Sequence, residues 1–488
     1  MDHRLPPSEE TLDPVDWTGV ERVAMHVVAD SVRYLAERRE RPVWQAMPDN
    51  VRRRFEIPAP TDPTPLEEVI REVQETIMPY PMGNVHPHFW SWFMGSGSFT
   101  GALAEFLAAI QGSNVGGGDH AAVYVDRQVV DWLRGMVGMP ASAEGTLVSG
   151  GSAANLVGLT VARNVKAGID VREAGVAAMP RPLRFYGSDQ IHSCHRKAVE
   201  ALGLGNRALR RIPSDAAFRI DLSALRAAIA EDRASGLRPA CLIANAGSVN
   251  TGAIDDLMAL ADLAAAEDMW LHVDGCIGAL LAIAPENAPL VVGLARADSL
   301  ALDPHKWLHA PFGIGCALIR KPGLLGQSFA TMPEYLETAP RGLASGPWLH
   351  ELGPETSRGF RALKVWMMLK EHGLARFGHL IDRNITQARH LADIVETHPR
   401  LALAAPQAIN IVCFRYDPGG LDAAELKTLN VEIMLRLQES GTAAISDTTL
   451  KGAHSLRVAI CNHRTRFEDL DHLAAEVVRI GDLVSATG

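Results

Sequence analysis

The chain has 488 residues, 47% of them hydrophobic and 21% charged, with a formal net charge of −10. This is globular composition, long enough for two or three domains and at least one large core. No clustered basic stripe marks a nucleic-acid surface, and no apolar run approaches the ~20 residues of a membrane span, so neither partner is expected.

The first residues, Met1-Asp2-His3-Arg4-Leu5-Pro6-Pro7, lack the apolar stretch of a signal peptide. Residues 15–78 read as helices broken by proline. Val23, Val27, Val28, Val32 and Leu35 fall at helical spacing and make an apolar stripe. The run Ile57-Pro58-Ala59-Pro60-Thr61-Asp62-Pro63-Thr64-Pro65 excludes a regular helix interior. The resulting arm, residues 1–85, has no obvious core of its own and is expected to pack on a partner subunit.

Residues 86–368 alternate short apolar runs with helical stretches. Ala240–Ala244, Trp270–Asp274, Ser299–Leu302 and Gly315–Ile319 read as strands, with a helix at about 256–267. Strand, helix, strand at this spacing predicts a mainly parallel α/β sheet, whose ligands sit at the carboxyl ends of strands. Residues 369–488 read as a smaller α/β unit. It has strands through Ile409–Phe414 and Leu456–Ile460, a helix at about 422–439 and a final helix. The six cysteines, Cys194, Cys241, Cys276, Cys316, Cys413 and Cys461, form no CxxC pair. They read as buried thiols of a reducing, cytoplasmic compartment.

Four features carry chemistry. Lys306 follows a strand and a proline in Asp303-Pro304-His305-Lys306-Trp307; such a lysine is ordinarily a solvated surface residue. Asp274 ends an apolar strand, where a carboxylate is costly unless a cation meets it. A protonated ring nitrogen is one such cation; a helix cap or a metal site are the alternatives. His272 shares the face of Asp274 but lies deeper, and with no third ligand in view no metal is expected. Ser149-Gly150-Gly151-Ser152 turns tightly into a helix whose free N–H groups suit a phosphate. His192, after the strand Leu183–Tyr186, has an imidazole able to stack on a planar ring and move a proton; a lone histidine is more often structural.

Together the segments Gly150-Gly151-Ser152-Ala153-Ala154-Asn155, Ser188-Asp189-Gln190-Ile191-His192-Ser193, His272-Val273-Asp274, Asp303-Pro304-His305-Lys306-Trp307 and Asn462-His463-Arg464-Thr465 resemble the group II pyridoxal-phosphate amino-acid decarboxylases. That family includes the aromatic L-amino-acid, histidine and glutamate decarboxylases. The resemblance runs over nearly the whole chain. It implies the fold-type I, aspartate aminotransferase-like architecture and a homodimer with its active site at the subunit interface. It implies pyridoxal 5′-phosphate as cofactor, with Lys306 as the Schiff-base lysine, Asp274 as partner of the pyridinium and His192 stacked on the ring. Gly151 and Ser152 match the phosphate turn, His305 lies near the phosphate, and the Ser248 hydroxyl binds the cofactor. Tyr335 matches a tyrosine on a mobile loop that returns a proton to the α-carbon.

The chain also departs from the family's pattern. Val249 replaces a second threonine. Asp303 replaces an asparagine that contacts phosphate, and since a carboxylate there would be repelled, Asp303 is expected to face a donor elsewhere. Trp92, Phe93 and Met94 match the substrate wall. Gly116, Gly117 and Gly118 are expected to widen the pocket, with Asp119 and His120 adding polar groups. The activity implied is decarboxylation of an L-amino acid to its amine, with an aromatic substrate favoured. Acidic or diamino substrates, and other fold-type I activities such as aldehyde synthesis or transamination, stay open.

Overall fold

A computed structural model describes residues 11–331 and 339–487. The first helix, Trp17–Ala36, starts where the Asp16 side chain accepts from the Thr18 N–H, a standard N-cap. Of the predicted stripe, Val23, Val27 and Leu35 are half-buried while Val28 and Val32 are exposed, and no residue of this helix is buried. The proline run then delays the next long helix to Leu66–Thr76.

Seven strands form the larger sheet: β1 (Glu144–Val148), β2 (Leu183–Ser188), β3 (Leu209–Ile212), β4 (Arg238–Asn245), β5 (Trp270–Asp274), β6 (Ser299–Leu302) and β7 (Gly315–Ile319). Their spatial order is β1-β7-β6-β5-β4-β2-β3. All neighbours run parallel except β7, which is antiparallel to both β1 and β6. Strands β5, β6 and β7 are buried at every position, which explains their continuous apolar sequence. Such a run carries no sign of strand direction, so the reversal of β7 was not legible.

The parallel strands β1, β2, β4, β5 and β6 all discharge at one sheet edge. The turn at Gly150, the loop carrying His192, the segment after Asn245, Asp274 and the Asp303–Lys306 turn follow them there. Helices Gly151–Lys166, Leu257–Ala266 and others cover the two faces. A second sheet, wholly antiparallel, is ordered β10 (Ser446–Leu450), β11 (Ala453–Ala459), β9 (Ile411–Tyr416), β8 (Leu401–Leu403). It has its own core around Phe414, Tyr416 and Ile433. The boundary expected at 368/369 falls inside the helix Ala362–His372.

Candidate active site

The strand ends enclose a cavity of about 610 Å³ lined by Gly151, His192, Asp274, Asp303 and Lys306, among others. The turn after β6 is closed by the Lys306 N–H donating to the Asp303 carbonyl at 3.0 Å. Trp307 next to it is fully buried and meets the Phe93 ring edge-on at 5.6 Å. That anchor fixes where Lys306 points, and its Nζ lies 5.7 Å from the Phe93 ring centre. His305 donates from Nδ1 to the Ile314 carbonyl at 2.7 Å.

Asp274 stands at the end of β5 with 8% exposure. Its Oδ1 accepts from the Cys276 N–H at 3.2 Å and its Oδ2 from His195 Nε2 at 2.9 Å. Burial alone would raise its pKa. The hydrogen bond and charge of His195, helped by Lys306, outweigh burial and hold the carboxyl far below the usual range. A buried, ionised carboxylate facing a cavity is a ready partner for a cationic ring nitrogen.

Sequence reasoning missed His195. Its one signal is its place three residues after His192, on the first turn of the helix Cys194–Ala201. Beneath lies a fully partnered chain. His272 bonds Asn155 Oδ1 through Nε2 at 2.7 Å and Ser299 Oγ through Nδ1 at 2.8 Å. Complete burial pulls His272 down to about 3, so it is neutral: Nε2–H donates and Nδ1 accepts. His272 thus supports the floor and does not enter the cavity lining.

His192 lies over the cavity, exposed within it. Its Nδ1 accepts from the Cys194 N–H at 3.1 Å, which puts the ring proton on Nε2. Desolvation by the surrounding walls lowers its pKa below the ordinary imidazole value, against the opposing charge of Asp274.

The helix Gly151–Lys166 opens at the cavity with no capping side chain, leaving first-turn N–H groups for an anion. Only glycine fits at 151: a Cβ there would lie 2.5 Å from Cys276 Sγ and 2.6 Å from Asp303 Oδ2. An amine, a buried carboxylate and an uncapped helix start around one cavity fit pyridoxal 5′-phosphate, which brings an aldehyde, a ring nitrogen and a phosphate.

Trp92, Phe93 and Met94 line the same cavity, as do Val249 and Asn250. Asp303 lines the cavity and faces a donor there: its Oδ2 lies 3.3 Å from Lys306 Nζ. Ser248 is buried beside the cavity, and its hydroxyl pairs with that of Thr251 at 3.0 Å. Among the described residues it is Gly247, Val249 and Asn250 of this segment that reach the lining.

His120 lies in a second cavity of about 510 Å³, with Trp348 and His350, and a single chain does not bring it to Lys306. Gly116, Gly117 and Gly118 line that same second cavity. A Cβ at Gly117 would lie 2.2 Å from the Trp348 ring, and one at Gly116 2.4 Å from the Thr356 carbonyl. These glycines allow two backbone segments to pack closely. Tyr335 falls outside the described residues.

Arg457 of β11 was also missed, because it interrupts a strand read only for its apolar residues. It is 3% exposed, lines the cavity, and donates to the carbonyls of Trp92 (2.7 Å), Val249 (2.5 Å) and Asn250 (3.0 Å). One guanidinium thereby joins the substrate-side wall to the segment after β4.

Residues 48–417 match the family described as the pyridoxal-dependent decarboxylase conserved domain. The chain is 38% identical to an aromatic-L-amino-acid decarboxylase of Bacillus atrophaeus over 408 residues, 82% of each chain. It is 29% identical to a phenylacetaldehyde synthase of Petunia hybrida over 452 residues, 89% of this chain and 88% of the relative. Among solved structures it is similar to Oryza sativa TDC with PLP and tryptamine, with TM-score 0.89 and 25% identity over 97% of this chain and 100% of that one. It is likewise similar to Catharanthus roseus tryptophan decarboxylase in complex with L-tryptophan, with TM-score 0.86 and 26% identity over 96% and 99%. With its fold-type I sheet and its cofactor-compatible cavity, the chain belongs to the pyridoxal-dependent decarboxylase family and is a PLP-dependent carboxy-lyase.

Proposed function

We propose that this protein removes the α-carboxylate of an aromatic L-amino acid as CO2 and releases the amine. The observation that carries this is the wall of Trp92, Phe93 and Met94 facing Lys306 across one cavity. Flat apolar side chains there suit a ring. The Bacillus relative is named for aromatic L-amino acids, and the Catharanthus neighbour holds L-tryptophan.

Bound pyridoxal 5′-phosphate supplies the electron sink for the bond that breaks. The chain's own residues do the rest. Lys306 Nζ would hold the cofactor's aldehyde end covalently. Asp274 keeps a proton on the ring nitrogen and so strengthens the sink. Gly151, Ser152 and His305 hold the phosphate end, with Ser248 supporting the cofactor wall from behind. His192, whose Nε2 carries the ring proton, would stack against the cofactor ring in that cavity. Tyr335 returns a proton to the α-carbon, and its presence with His192 supports amine as the product rather than aldehyde.

The working unit in this reading is a homodimer with the site at its interface. Trp17 and Met25 of the first helix are each 65% exposed, and Phe106 and Ile110 of the helix Phe99–Gln111 are 59% and 72% exposed. Apolar faces of this kind mark a contact surface, and a partner chain would be the source of a His120 near the substrate. The chain divides into an arm to residue 85, a cofactor-binding unit from 86 to 368 and a terminal unit from 369. The four-stranded sheet's own cluster around Phe414, Tyr416 and Ile433 supports a terminal unit, while Ile381, Ile409 and Ile411 join it to the core of the larger sheet. No helix among the described residues is long and apolar enough to cross a membrane. The six cysteines are buried and unpaired, which supports a reducing, cytoplasmic setting.

The test is product analysis with each aromatic L-amino acid. Amine and CO2 in equal amounts are expected. Aldehyde with peroxide, or a keto acid without CO2, would overturn the reading.

A further inference from the structure

Asp303, where many members of the family carry an asparagine, lies at the centre of the site. Its carboxylate is 3% exposed. Oδ2 lies 3.3 Å from Lys306 Nζ and 3.6 Å from His305 Nε2. Among the described residues Oδ1 has no hydrogen-bond partner although it is buried. The same Oδ2 sits 2.6 Å from where a Cβ on Gly151 would lie, against the uncapped first turn of the helix. A buried carboxylate with one free oxygen is expensive to hold. Among the described residues its nearest cationic partner is the amine on which the cofactor would be loaded.

We propose that Asp303 is a positioning residue for cofactor capture: it pairs with Lys306, keeps that amine an ammonium, and so sets the pH at which the chain takes up pyridoxal 5′-phosphate. This rests on Lys306 being the cofactor lysine. Capture joins Nζ to the aldehyde carbon and expels the carbonyl oxygen as water. Nζ must shed a proton before it attacks, and the nitrogen of the new C=N bond regains one afterwards. No oxidant or reductant is needed. An ammonium has no lone pair, so the carboxylate that stabilises it slows the reaction.

The other groups around Lys306 are accounted for. Asp274 and Cys276 face it from the end of β5, His192 from the loop after β2, His305 from its own turn and Cys461 from the segment after β11. Burial opposes charge on Lys306, but Asp303 first, then Cys276 and Asp274, lift its pKa above the ordinary lysine value. Asp274 is already engaged by His195 at 2.9 Å. Cys276 and Cys461 are thiols that burial pushes up, Cys461 to about 12. Asp303 is therefore the group whose charge can be removed without disturbing the pair at the ring nitrogen. An asparagine keeps the shape and drops the charge.

The experiment mixes pyridoxal 5′-phosphate with the full-length chain, stripped of cofactor by hydroxylamine and dialysis. Appearance of the visible absorbance of the Lys306 adduct is followed from pH 6 to 9. For the natural chain the second-order rate is expected to rise with pH throughout. Asp303→Asn is expected to load about tenfold faster or more at pH 7, the least that loss of a close opposite charge produces, with its profile moved to lower pH. Asp303→Glu is expected to restore the original profile. An Asp303→Asn profile that coincides with the original, or moves to higher pH, overturns the proposal.

Should Asp303→Asn not fold, the natural chain is labelled with acetic anhydride from pH 7 to 12, with the Lys306 peptide read by mass spectrometry. Half-maximal labelling above the midpoint of lysines in the denatured chain supports the pairing; a midpoint below it overturns the proposal. Borohydride trapping on Lys306 separates the two readings. Trapping with an unmoved profile rejects only the role of Asp303, whereas no trapping at Lys306 rejects the cofactor lysine itself.

Discussion

Asp274 and His195 form the most demanding pair in the site. His195 is fully buried, and its Nε2–H has the Asp274 carboxylate as acceptor. Asp274→Asn keeps the side chain's shape but removes the charge that holds a ring proton. Turnover is expected to fall by about a hundredfold or more, the scale of losing one preorganised electrostatic contact, while the chain stays folded; near-unchanged kcat would contradict this assignment. His195→Ala removes a buried donor and leaves Asp274 Oδ2 unpaired. It is expected to lower stability by about 1–3 kcal/mol and to weaken cofactor binding, measured by thermal unfolding and absorbance titration. At this scale the sequence disclosed the residues whose chemistry is unusual for their setting: a carboxylate ending an apolar strand, a lysine after Pro-His. It hid His195 and Arg457. Each looks ordinary locally, one on a helix turn and one within a strand, and each matters through a partner far along the chain.

The elements explain the rest of the geometry. Strands β5, β6 and β7 were legible to the residue, because complete burial makes their apolar runs continuous. Strands β1 and β3 were not, because Glu144 and the arginines Arg210 and Arg211 break the apolar pattern at partly exposed positions. The Gly116–Gly118 run lines a cavity yet also packs closely against a neighbouring segment. Gly117→Ala would set a Cβ 2.2 Å from the Trp348 ring. It is expected to destabilise the chain by about 1–3 kcal/mol, the usual cost of overpacking, read as a lower midpoint in urea. An unchanged midpoint would show that this contact yields freely.

For the whole molecule, two properties follow from what is buried and what is not. His86, His272 and His463 are held neutral by burial, with pKa values lowered to about 3, about 3 and about 4 from 6.5. A depressed folded-state pKa means the unfolded chain binds protons first. The stability from these residues is therefore complete above pH 6.5 and is lost as pH falls from 6.5 toward 4 for His463 and toward 3 for His86 and His272, on the order of a few kcal/mol each. The unfolding temperature is expected to drop steeply over that window, and a flat profile would refute the assignment. The exposed apolar face of the helix Phe99–Gln111 makes the second property. If the proposed homodimer forms through it, replacing Phe106 and Ile110 together by glutamate is expected to give a monomer in sedimentation and to remove most activity; a dimer unchanged by the replacement would place the interface elsewhere.

The central claim, aromatic amino-acid decarboxylation on a cofactor held by Lys306, joins all three scales. Its most direct test measures CO2 and amine from L-tryptophan, L-tyrosine, L-phenylalanine and L-DOPA, with added pyridoxal 5′-phosphate, for the natural chain and for Lys306→Ala. Equal amounts of CO2 and amine from at least one of these substrates, abolished in Lys306→Ala, are expected. No CO2 from any of them, or release that survives loss of Lys306, would contradict the claim.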